Sequence, residues 1–519
     1  MRSGAEALRE LRRARRRHYV DRLDKMELLY RVYVAAIFGA IVLGVVAGAI
    51  HEAPATATAV DSIRSQAPAL IGLAVAFAIL AGLRSGARGG PLAIEEAELR
   101  YVLLAPLDRG TALRPAAIAQ ARIAAIVGAV TGAIIGNFVF RRFPGTALEW
   151  IGCLALFGAL VPLCVLGAAQ LACGRRLRAR PASAAGLALV AWSVADVAFG
   201  STSSPATMLG ELATLPLRGD GSLAPAAVGA ALALALVVVG LLGIGGLLLE
   251  AARRRAALTA EMRFSASVQD LRTVILLRRQ LASELPRRRP WLRLAPAGRA
   301  GHPVWRRGWQ SFLRWPVARA ARVAALGAAA GAVAVAAWSQ TPVLFAFPGL
   351  LLFVASLDLI EPLAQEADHP TRRSLLPVAG GRLFRHHLVA PASALAVVVA
   401  LGAVAAAAIG ADPGIALGVG AALLVASPAL LACAAALSAT NDPYEFILTP
   451  ELGYVWSSLP LVLAAAGVGV PLVVAWSVSR HGGSPVGVAV AAEIALLLVA
   501  AGLVALLQFQ ATKGDEVTA

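Results

Sequence analysis

Apolar stretches long enough to cross a bilayer recur along this chain from Leu29 to Leu507, and no other feature restricts the possible folds so strongly. About 20 apolar residues in helical form match the roughly 30 Å hydrocarbon layer. Inside that layer a backbone must satisfy its own N–H and C=O groups, which leaves a bundle of spanning helices as the solution for segments of this length. A soluble alternative fails on composition, because 59% of residues are apolar and only 15% are charged.

Hydropathy places spans near 29–50, 67–83, 123–139, 148–173, 182–200, 224–249, 319–339, 342–361, 389–411, 414–438, 457–477 and 485–507. The expected fold is therefore all-α, a polytopic membrane protein of about twelve transmembrane helices arranged as two six-helix halves. The first stretch, Leu29 to Ile50, follows an Arg-rich segment and lacks a small-residue cleavage site, so it reads as a retained helix. Residues 1–28 read as a basic amphipathic cytoplasmic segment, 29–249 as the first half and 250–318 as a basic linker containing an amphipathic helix. Residues 319–507 form the second half and 508–519 a cytoplasmic tail.

The formal charge of +17 does not point to nucleic acid, because the arginines cluster beside apolar stretches, where the bias of Lys and Arg toward the cytoplasm accounts for them. With a cytoplasmic N-terminus, only five of the 47 basic residues fall outside: Arg64, Arg141, Arg142, Arg218 and Arg480. Trp150, Trp338 and Trp476 then lie at outer helix ends and Tyr30, Trp315 and Trp456 at inner ends, as interfacial aromatics prefer. Both termini are expected in the cytoplasm. The bias toward Ala and Arg suggests a GC-rich bacterial genome and hence the plasma (inner) membrane. The basic amphipathic segments 5–28 and 256–285 would lie against anionic lipid headgroups, with a solvated charged lead-in that only sets topology as the alternative for either one.

The two halves also read as a duplication. Leu104, Pro106, Gly110 and Arg114 recur as Leu375, Pro377, Gly381 and Arg385 at a constant offset of 271 residues, each set between the second and third spans of its half.

Candidate chemistry is sparse. A phosphate-binding loop needs Lys followed by Ser or Thr after a Gly-rich turn, whereas Lys25 precedes Met26 and Lys513 precedes Gly514. Any ATP hydrolysis must come from another chain. No HExxH or GxSxG motif occurs, and Cys153, Cys164, Cys173 and Cys433 lie in apolar stretches without metal-ligand spacing. No catalytic, cofactor-binding or metal-binding residue is expected, and the chain does not read as an enzyme. Acids inside spans carry a functional expectation because burying charge in lipid is costly. Asp196 and Glu493 fall in the outer, water-accessible parts of their spans, and Asp358 and Glu361 near an inner end. Glu493, the deepest, is a candidate for lining a translocation path, with a polar packing contact as its alternative.

The segment Glu95 to Arg109 carries the functional reading. Acids cluster at its start, favourable for a helix dipole; Leu99, Val102 and Leu103 share a face, and Pro106 closes the helix. At these residues the chain resembles the permeases of ABC-2 type exporters. Their loop between the second and third spans begins as a Glu-rich helix, continues through an LLxxP-like step and carries an Arg shortly afterwards. Glu98, Leu103, Leu104, Pro106 and Arg109 match, while Asp108 replaces the more usual small hydroxyl residue. A degraded version recurs at Asp368, Leu375, Leu376, Pro377 and Arg382.

The resemblance implies an exporter whose two halves sit on a pair of separately encoded ATP-binding-cassette subunits, two copies or a heteromeric pair. ATP and Mg²⁺ would be held by those partners and no cofactor by this chain. Each ATPase would grip a coupling helix; Glu95, Glu98, Arg100, Leu103, Leu104, Pro106, Asp108 and Arg109 would form one contact, and Asp368, Leu376, Pro377 and Arg382 the other. An apolar path with scattered Ser, Thr, Gln and Asn suits amphiphilic or hydrophobic cargo. Two other readings stay open. One is a proton-coupled carrier of the major-facilitator kind, although Leu83 to Gly90 lacks the acid of its usual loop pattern. The other is a membrane scaffold without transport.

Overall fold

A computed structural model describes residues 54–90, 101–103, 108–200, 203–218, 223–247, 289–294, 303–339, 346–367, 380–408, 413–439 and 492–499, with a few isolated positions elsewhere. All regular elements among them are helical. Among the described residues, eight helices are long and apolar enough to cross a membrane. The chain is thus a multi-pass helical membrane protein. The expected spans 29–50 and 457–477 lie outside the described residues, apart from Tyr33, and 485–507 is represented chiefly by the helical residues 492–499.

The chain divides into two compact units, Met1–Ala47 with His51–Glu261 and Gly48–Ile50 with Met262–Ala519. In the first unit the long helices are α1 (Ala57–Ala87), α2 (Arg109–Val139), α3 (Ala147–Gly174), α4 (Ala179–Phe199) and α6 (Ala224–Gly243), with a short α5 (Pro205–Ala213) between α4 and α6. α3 is central and packs against α1, α2, α5 and α6.

Local signals account for the helix ends. Thr146 and Glu149 form a reciprocal capping box at the start of α3, the Thr146 amide donating to Glu149 Oε2 at 2.9 Å. α4 stops at Gly200, whose left-handed conformation (φ 62°) lets its amide close on the Asp196 carbonyl. Ser204 caps α5 and Pro205 opens it, a position where the missing N–H costs nothing.

Small residues let these helices approach backbone to backbone. Gly128, Gly132 and Gly136 form a stripe along α2 that meets Gly158, Leu154 and Trp150 of α3, and a Cβ at Gly132 would overlap the Leu154 carbonyl oxygen. Where apolar side chains gain nothing by leaving lipid for protein, such close van der Waals packing drives association. The opposite face of α2 exposes Ile123, Ile126, Val127 and Val130, a helical stripe suited to acyl chains.

The second unit contains α7 (Pro303–Phe312), α8 (Val317–Ser339), α9 (Ala346–Leu359), α10 (Glu361–Ala367), α11 (Gly380–Ala408) and α12 (Pro413–Ala439). α8 and α11 repeat the close approach, with Gly331 against the backbone of Gly402. The core gathers Leu352, Leu359, Leu395, Val419 and Leu430 from α9, α11 and α12.

Three sequence expectations need correction. Within the span expected at 342–361, the described helix is Ala346–Leu359, 14 residues, and it stops before Glu361. Pro362 explains the break, since it has no N–H to offer the carbonyl of residue 358. The guanidinium of Arg319 takes that carbonyl instead, at 2.8 Å. The span expected at 123–139 belongs to a helix that starts at Arg109 and has 31 residues, about 46 Å long. Hydropathy marked its lipid-facing part, while its hydrogen-bond ladder continues through Arg114 and Arg122. Finally, the loop expected after residue 200 holds α5, nine residues long and largely buried against α1 and α6.

Candidate functional site

The connection between α1 and α2 is the segment to which the sequence assigns coupling. Two consecutive glycines with positive φ, Gly89 (126°) and Gly90 (88°), turn the chain out of α1, and a side chain at Gly90 would meet Cys173. Beyond the turn, Leu92 and Leu103 are buried with Leu113, Cys173, Ile244 and Leu247. The segment is therefore anchored on the start of α2 and the ends of α3 and α6. Arg176, itself in a left-handed conformation (φ 52°), ties the same helix ends by donating from Nε to the Gly246 carbonyl at 3.0 Å.

Tyr101 is 73% exposed, two residues before the buried Leu103. Asp108 caps α2 and accepts from the Thr111 amide at 2.8 Å and the Thr111 hydroxyl at 2.7 Å. These bonds, the hydroxyl's foremost, hold its carboxyl below the ordinary value of 3.8, with the Arg114 charge adding to the effect. Asp108 and Arg109 are both exposed. The arrangement joins a buried apolar edge, Leu92 and Leu103, to an exposed aromatic, acid and base, Tyr101, Asp108 and Arg109.

Of the residues assigned to coupling, the structure brings Leu103, Asp108 and Arg109 together on this end of the first unit. Glu95, Glu98, Arg100, Leu104, Pro106, Asp368, Leu376 and Pro377 lie outside the described residues. Arg382 lies in α11, with only its backbone described. Glu493 is exposed on the helical stretch 492–499. Thr111 was not singled out from the sequence, although the Asp-x-x-Thr spacing at a helix start was the available signal; Arg176 was read only as one base of the inner loop with Arg175, Arg178 and Arg180, not as a tie between helix ends.

Of the other acids, one is placed differently from expectation. Asp196 is not water-accessible: it is 3% exposed and accepts from the Ser204 amide at 2.7 Å and the Thr207 hydroxyl at 2.6 Å. Ser193, Ser204 and Thr207 complete a buried polar cluster that joins the end of α4 to the start of α5. A buried carboxylate in an apolar bundle needs such donors. Asp358 receives both Nε and Nη2 of Arg322, at 3.1 and 3.0 Å, and Arg319 pairs with Glu361 while its guanidinium stacks over Trp315 at 4.3 Å. These acids fasten α8 to α9 and α10.

All four cysteines are free, with Cys164, Cys173 and Cys433 buried. Among the described residues no group of His, Cys, Asp and Glu could hold a metal ion. In comparisons with known proteins, no family model, no curated protein and no solved structure matches this chain.

Proposed function

We propose that this chain is the transmembrane permease of an ATP-driven exporter, with the ATPase supplied by separate subunits and the basic ends of its helices in the cytoplasm. One observation carries the reading. The α1–α2 segment is seated through Leu92 and Leu103 on the ends of three helices while it turns Tyr101, Asp108 and Arg109 outward. A surface element anchored in this way transmits a push to α2, α3 and α6 together, whereas a loose loop would absorb it. Nucleotide-driven motion of a gripping ATPase would then bias the bundle between inward-open and outward-open arrangements. The resemblance of Glu98, Leu103, Leu104, Pro106 and Arg109 to the coupling segment of ABC-2 permeases gives the partner its identity, an ATP-binding-cassette subunit. Apolar helix surfaces favour a hydrophobic or amphiphilic cargo.

The test is charge reversal in this segment. Glu98→Arg combined with Arg109→Glu is expected to reach the membrane at the parental level and to lose its ATPase partner on purification in mild detergent. Breaking a close interfacial charge pair costs about 2–5 kcal/mol, enough to release a subunit. Arg141→Glu, beyond the other end of α2, is expected to retain the partner. Full retention by the double variant would remove the coupling role from this segment.

A further inference from the structure

Residues 289–315 run up to the first turn of α8, which spans the apolar layer from Val317 to Val335. This stretch contains Arg289, Arg293, Arg299, Arg306, Arg307 and Arg314 and no Asp or Glu. Its described parts form one structure. Residues 289–294 lie along α7, the Trp291 amide donating to the Leu313 carbonyl at 2.9 Å and its indole to the Trp315 carbonyl at 2.9 Å. Arg306 closes the other side by donating to the Leu294 carbonyl at 3.2 Å.

Along α7 the aromatic rings form a continuous edge-to-face ladder, Trp305 to Trp309 at 6.2 Å, Trp309 to Phe312 at 5.8 Å and Phe312 to Trp315 at 5.0 Å. Burial changes steadily along it. Phe312 and Trp315 belong to the core of the second unit, whereas Trp305 is 40% exposed. Trp291 and Leu292 continue the exposed apolar surface, and the side chains of Arg289, Arg293 and Arg314 are exposed around it. Among the described residues, Asp358 and Glu361 are paired with Arg322 and Arg319 of α8.

We propose that α7 and residues 289–294 form a docking surface for the headgroup layer of an anionic bilayer, with Trp291, Leu292 and Trp305 entering the boundary and the flanking arginines meeting lipid phosphates. Tryptophan settles at this depth because its ring is apolar and its N–H polar. A helix with apolar and cationic residues in this arrangement lies in the interface plane. The position immediately before a spanning helix places the surface at the headgroup level, and the exposed Arg289, Arg293 and Arg314 around it are complementary to anionic lipid. Each arginine near an anionic surface strengthens binding about fivefold. The inference does not depend on the exporter reading, since it needs only that α8 crosses the membrane.

The experiment measures quenching of intrinsic tryptophan fluorescence of the full-length protein in mixed micelles containing dibrominated phosphatidylglycerol or dibrominated phosphatidylcholine. The parent is expected to reach half-quenching at a mole fraction of the anionic lipid at least about tenfold lower than of the zwitterionic one. The triple variant Arg289→Gln, Arg293→Gln, Arg314→Gln is expected to lose most of that preference. Trp291→Phe with Trp305→Phe locates the effect independently, because the anionic-specific part of the quenching should fall while all arginines remain. Equal quenching of the parent by both lipids would overturn the proposal. So would an anionic preference that survives in both variants, or an arginine variant that keeps the preference but loses an acidic protein partner, which would assign the face to a protein.

Discussion

The carboxylate of Asp108 caps α2 through Thr111 and lies near the guanidinium of Arg114, so the residue that departs from the exporter pattern still serves a helix start. Its effect is local, and amide exchange at Thr111 reads it. Asp108→Ala is expected to lower the protection of that amide, and Asp108→Asn to restore most of it, since an amide oxygen also caps. The pH dependence has a definite sign. Because the folded carboxyl titrates below its ordinary value of 3.8, the stabilisation is present above that value and is lost as pH falls through the lowered one. Protection at Thr111 relative to the intrinsic exchange rate should therefore stay level from neutral pH to about pH 4 and fall only in stronger acid. A decline centred near neutral pH would show that another group holds the turn.

Helices α2 and α3 show what the sequence disclosed and what it did not. Their existence was legible because a long apolar run has few alternatives in lipid, and their lipid-facing residues follow from the same pattern. The start of α2 at Arg109 was hidden, since a helix continues past the hydrocarbon boundary where hydropathy stops reporting it. The short α5 escaped for the opposite reason. Nine residues cannot span, and only the Ser204-Pro205 start signals it. Asp196 could not be placed either, because its partners Ser204 and Thr207 belong to that unread element. In the segment between α1 and α2, the burial of Leu103 was legible from its apolar face, whereas the helix ends that receive it were not. The contact between α2 and α3 yields a prediction at this scale. Gly132→Val places side-chain atoms against the Leu154 backbone, and only separation of the two helices relieves the overlap. A loss of at least about 1–3 kcal/mol is expected, measured as a lower unfolding temperature in detergent. Gly152→Ala on the open side of α3 meets nothing within 4 Å and should be neutral or stabilising by up to about 1 kcal/mol. Equal stability of Gly132→Val and the parent would mean that the helices are not in backbone contact.

For the whole molecule, the distribution of charge within the first unit supports an orientation. Arg84, Arg88, Arg109, Arg175 and Arg178 gather at the end where α1 and α3 finish and α2 begins, and the other end carries Arg64, Arg141, Arg142 and Arg218 together with Asp61, Glu149 and Glu211. Under the bias of basic residues toward the cytoplasm, the first end faces inward. Single cysteines at Ser201 and Gly482, in a background without the four native thiols, should then react with an impermeant reagent applied to intact cells. Cysteines at Gly89, Ala179 and Pro370 should not. Labelling of the second group would reverse the orientation and place the α1–α2 segment beyond the reach of a cytoplasmic ATPase. The central proposal, that this chain is a permease whose motor is on another chain, is tested most directly by affinity purification of the full-length protein from its native membrane in mild detergent, followed by mass spectrometry and an ATP hydrolysis assay on the same eluate. A nucleotide-binding ATPase in an amount comparable to the permease, with hydrolysis that disappears when that subunit is removed, is the predicted result. A permease that remains intact and membrane-derived, yet carries no ATP-hydrolysing partner, would contradict it.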